Sequence, residues 1–167
     1  HLIDELRSCP PGARGVVVTT QHHTSSAAGP VIVIDDGEET GKRSVALAAR
    51  IADVTGSPFM LFVVAENDAE ASRITQRAKR ITRGNLTIAN HRFLPDAPQA
   101  IASALTEMTP RFVVGYLEGT PFGDDNVALA LFRAARAPVV LLRPGDPTAS
   151  KVNVSLNQST ENHQLSD

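Results

Sequence analysis

The stretch Val31-Ile32-Val33-Ile34-Asp35-Asp36-Gly37 decides the fold of this chain. Four consecutive β-branched apolar residues end in two aspartates and a glycine, the pattern of a buried strand followed by a turn. A strand that is apolar on both faces is typical of a parallel sheet covered by helices on both sides. We therefore expect strands and helices to alternate along the sequence that follows.

The alternation continues to about residue 143. Further apolar runs predict strands at 59–64, 86–93, 111–116 and 139–142. Between the strands, helical spacing predicts helices over Gly41–Asp53, over Ala69–Thr82 with Asp68 as N-cap, from Asp96 with Pro98 just inside, and over Asp124–Arg136. This order predicts an α/β fold, a doubly wound five-stranded parallel sheet with helices on both faces. Ligands of such sheets bind at the carboxyl ends of the strands, where the strand order reverses.

The two ends of the chain differ from this middle part. We divide the sequence into an N-terminal extension at 1–30, the α/β domain at 31–145 and a polar C-terminal tail at 146–167. Within the extension, Leu2–Ser8 has a helical pattern and Gly15–Thr20 a strand pattern. Two interpretations stay open: these segments form an extra edge of the same sheet, or they are the remnant of a preceding similar module.

Composition excludes several classes of protein. The 167 residues carry a net charge of −2, 42% hydrophobic residues and one cysteine. One cysteine excludes an internal disulfide framework, and a charge near zero argues against nucleic acid as a partner. No apolar run approaches the ~18–20 residues of a membrane span. The sequence opens at His1 without a leader pattern, so we expect a cytoplasmic protein, or a cytoplasmic piece of a longer one, with no direct membrane insertion.

Several segments, taken in order, resemble the universal stress protein domain. They are the opening strand with its acidic turn, Val31–Glu39, the Gly56-Ser57-Pro58 entry to the next strand, Pro95–Ile101 at the entry into the third helix, and the closing pair Val113-Val114-Gly115 and Ala137–Leu142. The resemblance covers about 31–145. It implies a five-stranded parallel sheet, frequent homodimers through the last strand and, in one subgroup, ATP binding. It implies no settled catalytic activity.

The nucleotide motif of that subgroup is altered here. The motif is Gly-x-x-Gly, about nine residues, and then Gly-Ser or Gly-Thr. Gly115 matches the first glycine, Gly119 follows one residue late, and Asp125-Asn126 stand in place of the last pair. By resemblance, Asp36 would hold ribose or a bridging cation, Val64 would line an adenine pocket, and the Asn126 amide would replace serine as a phosphate donor. The tentative nucleotide-binding residues are Asp36, Gly37, Val64, Gly115, Gly119 and Asn126.

Charge opposes a triphosphate at this place. Asp124 and Asp125 stand where a helix N-terminus would meet the phosphates, and a carboxylate there already satisfies the free N–H groups. A phosphate a few ångströms away would be repelled by roughly 3–4 kcal/mol per charge pair. A Mg²⁺ ion could bridge Asp35 and Asp36 to phosphate. ATP or AMP with Mg²⁺ is therefore a cofactor to test and not an established one.

Other candidate sites are weaker. The segment 37–44 lacks the P-loop spacing, and Arg43 replaces the hydroxyl that would bind magnesium. His22-His23 lacks a third metal ligand, Cys9 lacks a base, and we predict no metal site. The second helix has a basic face that we interpret as solvated, or as a surface for an acidic partner; its residues are Arg73, Arg77, Lys79, Arg80 and Arg83.

These patterns favour a regulatory or sensing domain over an enzyme. It would act by dimerisation and partner contacts, with an adenine nucleotide as a weakened ligand. The alternative is a nucleotide-free interaction module, such as the cytosolic domain of a parent membrane transporter or half of a tandem stress protein. Slow ATP hydrolysis, with Asp124 or Asp125 orienting a water, is the minor third hypothesis.

Overall fold

The structure of the chain is a computed structural model that describes residues 15–18, 27–84 and 86–143. Its strands are β1 (Gly15–Val18), β2 (Val31–Asp35), β3 (Phe59–Val64), β4 (Ile88–Phe93), β5 (Phe112–Tyr116) and β6 (Val139–Leu142). Its helices are α1 (Gly41–Thr55), α2 (Asp68–Ile81), α3 (Pro98–Met108) and α4 (Asp125–Ala135).

The strands form one sheet in the order β1-β6-β5-β2-β3-β4. Strands β2 to β6 are parallel to their neighbours, which confirms the predicted five-stranded parallel sheet. From β2 the chain first builds outward through β3 and β4, and then returns to β5 and β6 on the other side. The strand order therefore reverses between β2 and β5, and this is where such a sheet opens a crevice.

Helices cover both faces of the parallel strands. Helices α3 and α4 pack on one face, where Ile32, Ile34 and Phe62 are buried beneath them. Helices α1 and α2 pack on the other face of the sheet, where Val31 and Val33 are buried. Every residue of β2 is buried, because neighbouring residues of one strand point to opposite apolar layers. The continuous apolar run that predicted this strand is thus explained.

Three predicted helix starts, those of α2, α3 and α4, were wrong by one or two residues. Asn67, and not Asp68, is the N-cap of α2, and its side chain accepts a hydrogen bond from the N–H of Glu70. Asp68 already lies in the first turn, where it forms an ion pair with Arg92 across 3.2 Å. Helix α3 begins at Pro98 and not at Asp96, and no side chain caps it. Proline is favoured at the first position of a helix, because its fixed φ suits the helix and its missing N–H would have no partner there.

The N-terminal part of the chain adds a sixth strand. Strand β1 pairs with β6 in antiparallel orientation, so it extends the sheet as an edge element. This pairing is compatible with both interpretations of residues 1–20. The predictions for the Leu2–Ser8 helix, for Cys9, for His22-His23 and for the tail at 146–167 lie outside the described residues.

Candidate functional site

The candidate site is the crevice at the carboxyl edge of the sheet, between the ends of β2 and β5. Two connections form its walls. We call residues 36–40, between β2 and α1, the β2 turn, and residues 117–124, between β5 and α4, the β5 loop. Strands β2 and β5 are parallel neighbours, so the residues that follow them emerge at the same edge of the sheet. The β2 turn and the β5 loop therefore lie side by side.

Asp36 joins the two walls of the crevice. One oxygen of its half-buried carboxylate accepts a hydrogen bond from the Tyr116 hydroxyl at the end of β5. The other oxygen accepts the backbone N–H of Thr120 at 3.0 Å. The first oxygen also accepts the N–H of Glu38 at 3.2 Å within the β2 turn. The carboxylate that the resemblance assigns to ribose or a cation is thus already hydrogen-bonded on both oxygens.

The Tyr116 hydroxyl stays protonated in this arrangement. Burial of the side chain is the largest cause that raises the pKa of Tyr116, followed by its hydrogen bond to Asp36 and by the charges of nearby acids. A phenol with a raised pKa remains a donor at every physiological pH. Tyr116 therefore acts as the donor in its contact with Asp36.

Asp35 lies beneath the β2 turn and is paired with Arg77 of α2. Its side chain is 0% exposed, and its two oxygens lie 2.7 and 2.8 Å from Nη2 of Arg77. The other terminal nitrogen of Arg77 donates to the carbonyls of Gly37 and Glu38. Burial raises the pKa of Asp35, and the Arg77 hydrogen bond opposes this rise. The interpretation of Arg77 as part of a solvated basic face was wrong, because this guanidinium fastens the β2 turn.

Aromatic rings pack against Gly115 in strand β5 and against Gly119 in the β5 loop. A Cβ at Gly115 would overlap the ring of Phe122, and a Cβ at Gly119 would overlap the ring of Tyr116. Phe122 is 1% exposed and belongs to the core beneath α4. Both glycines are therefore required by the packing of this chain, whether or not a ligand binds.

Asp124 occupies the N-terminus of α4. Its carboxylate oxygen Oδ1 accepts the N–H groups of Asn126 at 2.9 Å and of Val127 at 3.0 Å. These are donors that an anion would otherwise meet at a helix N-terminus. The prediction that a carboxylate satisfies the free N–H groups here is confirmed for Asp124, which is the N-cap of the helix and not its first residue. The side chain of Asn126 is exposed beside it, and its role as a phosphate donor stays a prediction.

The remaining predicted residues lie around the same edge. Gly37 has φ of +89° in the β2 turn, a conformation that glycine adopts without strain. Val64 ends β3 and is 2% exposed in the core beneath α3. An adenine ring would contact Val64 only after its neighbours move, so its role also stays a prediction.

A shallow cavity of about 270 Å³ lies beside the crevice, on the side of α3 and α4. It is lined by Pro95, Pro98, Glu118, Gly119, Thr120, Pro121, Gly123, Asp124 and Val127. Its charged side chains are both acidic, so the cavity continues the negative character of the crevice.

Two classes of feature are not found in the described part of the chain. Residues 27–84 and 86–143 contain no cluster of three or more side chains suited to hold a metal ion. Over the same residues, no helix combines the length and the apolar character needed to cross a bilayer.

Known proteins resemble this chain through structure and not through sequence. No family model and no curated protein matches it. A universal stress protein in complex with cAMP is 20% identical, with a TM-score of 0.53 over 70% of this chain and 98% of that chain. A universal stress protein from Archaeoglobus fulgidus in complex with dAMP is 21% identical, with a TM-score of 0.54 over 70% and 99%.

A longer relative by structure extends the match. Another universal stress protein from Archaeoglobus fulgidus is 17% identical, with a TM-score of 0.64 over 79% of this chain. This chain spans only 50% of that protein's length. Together the similarities show that this chain has the universal stress protein fold, an α/β fold with a parallel sheet.

Sequence reasoning missed three residues that shape the crevice: Arg77, Tyr116 and Phe122. Each acts on a residue far along the chain or across a loop, and none belongs to a local motif. One signal was present for Phe122. An apolar aromatic residue in a polar loop, seven positions after a strand glycine, is consistent with a ring packed on that glycine.

Proposed function

We propose that this chain is a regulatory domain that acts through contacts with other proteins and without chemical turnover. Its crevice does not hold a nucleoside triphosphate in the absence of a divalent cation. The observation that supports this most strongly is the position of Asp124, whose carboxylate takes the N–H groups at the start of α4. An anion at this place would face a carboxylate in place of free donors.

The second support is the hydrogen bonding of Asp36. One oxygen accepts a hydrogen bond from the Tyr116 hydroxyl and the other from the Thr120 N–H. These contacts join the two walls across the crevice. A ligand that used Asp36 would first have to displace both donors. The local negative charge adds to this barrier, because the exposed acids at the same edge include Glu38, Glu118 and Asp124.

A second candidate function is the binding of an adenine nucleotide with a single phosphate. Two structures of the same fold are complexes with cAMP and dAMP. A cyclic monophosphate carries one negative charge, so the repulsion from Asp124 would be a fraction of that on a triphosphate. Such a ligand would enter by opening the Asp36 contacts.

Isothermal titration of the purified chain with ATP and with cAMP, each with Mg²⁺ and with EDTA, tests both functions. We expect no saturable ATP binding in EDTA up to millimolar concentration. We expect Asp124→Ser, which keeps a capping oxygen but removes the charge, to bind ATP at least tenfold more tightly than the unchanged chain, about 1.4 kcal/mol.

A matched control separates local charge from net charge. Asp53→Asn changes the net charge equally at an exposed position near the C-terminal end of α1, at the opposite edge of the sheet. It should leave binding unchanged. Micromolar ATP binding by the unchanged chain in EDTA would contradict the first function, while saturable binding of cAMP alone would establish the second.

A further inference from the structure

The two edges of the sheet differ in what lies beside them. Strand β6 is covered by β1, whereas β4 ends the strand order on the other side and pairs, among the described residues, with β3 alone. The Phe93 carbonyl accepts the N–H of Ala65, which directly follows β3. Because successive residues of a strand turn their N–H and C=O groups to opposite sides, Asn90 and Arg92 turn theirs away from β3, towards the open edge.

Helix α2 lies beside this open edge. Asp68 in its first turn pairs with Arg92 across 3.2 Å. Further along the helix, the Thr75 hydroxyl accepts a hydrogen bond from the side-chain amide of Asn90 at 3.1 Å. The helix therefore runs in the opposite direction to β4, and the side chains of Asn90 and Arg92 lie on its face of the sheet. Lys79 lies one turn beyond Thr75 on the same side of the helix, towards the start of β4.

The surface that α2 and β4 form is strongly basic. Residues 71–95 contain no acidic side chain, although the whole chain has a net charge of −2. Some of the basic side chains have an acidic partner: Arg73 with Glu70, Arg77 with Asp35 and Arg92 with Asp68. Others are exposed and form no ion pair with any residue that the structure describes, namely Lys79, Arg80 and Arg83. We call these last three side chains, together with the open side of β4, the basic edge.

The charge and the backbone of the basic edge together decide what fits it. A second copy of β4 would bring like charges together, and like charges across a strand pair destabilise it. A nucleic acid would meet the basic side chains but would leave the backbone N–H and C=O groups of Asn90 and Arg92 without strand partners. An extended polypeptide with carboxylates satisfies both, because it pairs with the backbone and compensates the charge.

We propose that the basic edge binds an extended, acidic segment of another protein, which joins the sheet as a strand beside β4. Carboxylates at alternate positions of the segment face the basic side chains of α2, because alternate residues of a strand lie on the same face. The positions between them face the side of α3, where the exposed ring of His91 packs edge-on against Phe62. The proposal rests on the proposed function, action through protein contacts, and names the surface and the chemistry of the partner.

Fluorescence anisotropy with the full chain tests the proposal. The probe is a labelled synthetic peptide of about nine residues in which glutamate and valine alternate, long enough to span an edge strand. The control peptide has lysine in place of glutamate. We expect the glutamate peptide to bind saturably, and to bind more weakly at high salt because exposed charges are then screened. The lysine peptide should not bind.

A proline variant tests the pairing with β4. Asn90→Pro removes an N–H that points to the open edge and leaves the hydrogen bonds to β3 in place, and edge strands tolerate proline of this kind. It should weaken binding of the glutamate peptide at least tenfold. Asn90→Ala, which keeps the N–H, is the matched control and should bind within about twofold of the unchanged chain.

A charge variant tests the contribution of α2 and does not depend on the fold of the proline variant. Lys79→Glu should weaken binding of the glutamate peptide at least tenfold. Arg133→Glu makes the same change of charge at an exposed position of α4, on the opposite face of the sheet, and should leave the binding unchanged.

Three results would overturn the proposal. One is the absence of saturable binding of the glutamate peptide up to about 1 mM, weaker than a marginal specific contact. Another is binding that neither Asn90→Pro nor Lys79→Glu weakens, because the chain would then contact acidic proteins elsewhere and the proposed function would stand without this surface. The third is a labelled oligothymidylate that binds more tightly than the peptide and is lost in Lys79→Glu. The ATP and cAMP titrations test the proposed function separately from all three.

Discussion

The two walls of the crevice differ in how they are held. The β2 turn is fixed from below by a buried ion pair, Asp35 with Arg77, and keeps the acidic turn that the family resemblance leads one to expect. The β5 loop is fixed from within, by the rings of Tyr116 and Phe122 on two glycines and by Asp124 on the helix end. The comparison teaches that two connections at the same edge of a sheet can be held by different means, one by a buried ion pair and the other by ring packing and a helix cap.

The largest effect is expected at the β2 turn. Arg77→Ala leaves the buried Asp35 without its partner and should lower the free energy of unfolding by about 3–5 kcal/mol at pH 8. Urea unfolding measures this loss. Arg80→Ala, at an exposed position of the same helix, should stay within about 0.5 kcal/mol of the unchanged chain.

The same variant has a pH dependence of known sign. Burial raises the pKa of Asp35 above its ordinary 3.8, and Arg77 is the group that opposes the rise. A raised folded-state pKa contributes stability below the unfolded value, and this is lost as the pH rises through the folded value. Without Arg77 the pKa rises further, so the Arg77→Ala loss should be smaller at pH 5 than at pH 8. An equal loss at both pH values would contradict the buried-charge explanation.

On the β5 side of the crevice, the largest effect should come from Gly115→Ala in strand β5. The added Cβ would overlap the ring of Phe122, and overpacking of this kind costs about 2 kcal/mol. Gly123→Ala in the adjoining β5 loop is the control, because its Cβ would lie 3.5 Å from the nearest atom. Adding Phe122→Leu to Gly115→Ala should recover part of the loss, as a double-mutant cycle of unfolding free energies would show.

A smaller effect is expected where the two walls meet. Tyr116→Phe removes the donor to Asp36 and should cost about 1.5 kcal/mol, the scale of a hydrogen bond to a charged group. In an Asp36→Asn background the same change should cost less. If the cost is unchanged there, the ring packing on Gly119 and not the hydrogen bond holds the walls together.

The smallest effect should follow the loss of the α4 cap. Asp124→Ala removes the acceptor of two N–H groups and should cost about 1 kcal/mol. Asn67→Ala is the matched control, because it also removes the side-chain N-cap of a helix, here α2. Thermal unfolding monitored by circular dichroism would show two similar shifts if Asp124 acts on stability only as a cap.

The sequence predicted the elements that local patterns specify. Consecutive apolar residues predict the strands at 31–34 and 59–64, and helical spacing predicts the fourth helix to within one residue of its observed start. The contacts that close the crevice were not predicted, because they join distant residues: Asp35 lies 42 positions from Arg77, and Asp36 lies 80 positions from Tyr116. The helical pattern does not show which of the basic residues of α2 pairs with Asp35. The partner of β1 was missed for the same reason.

The rings packed on Gly115 and Gly119 also bear on how readily this chain could evolve. To admit an anion at this edge, the molecule would have to lose the capping charge of Asp124 and open the contact between Tyr116 and Asp36. Each change alone removes a stabilising contact and leaves the other obstacles in place. Any change that opened this crevice would therefore pass through less stable intermediates, so stability alone would oppose it.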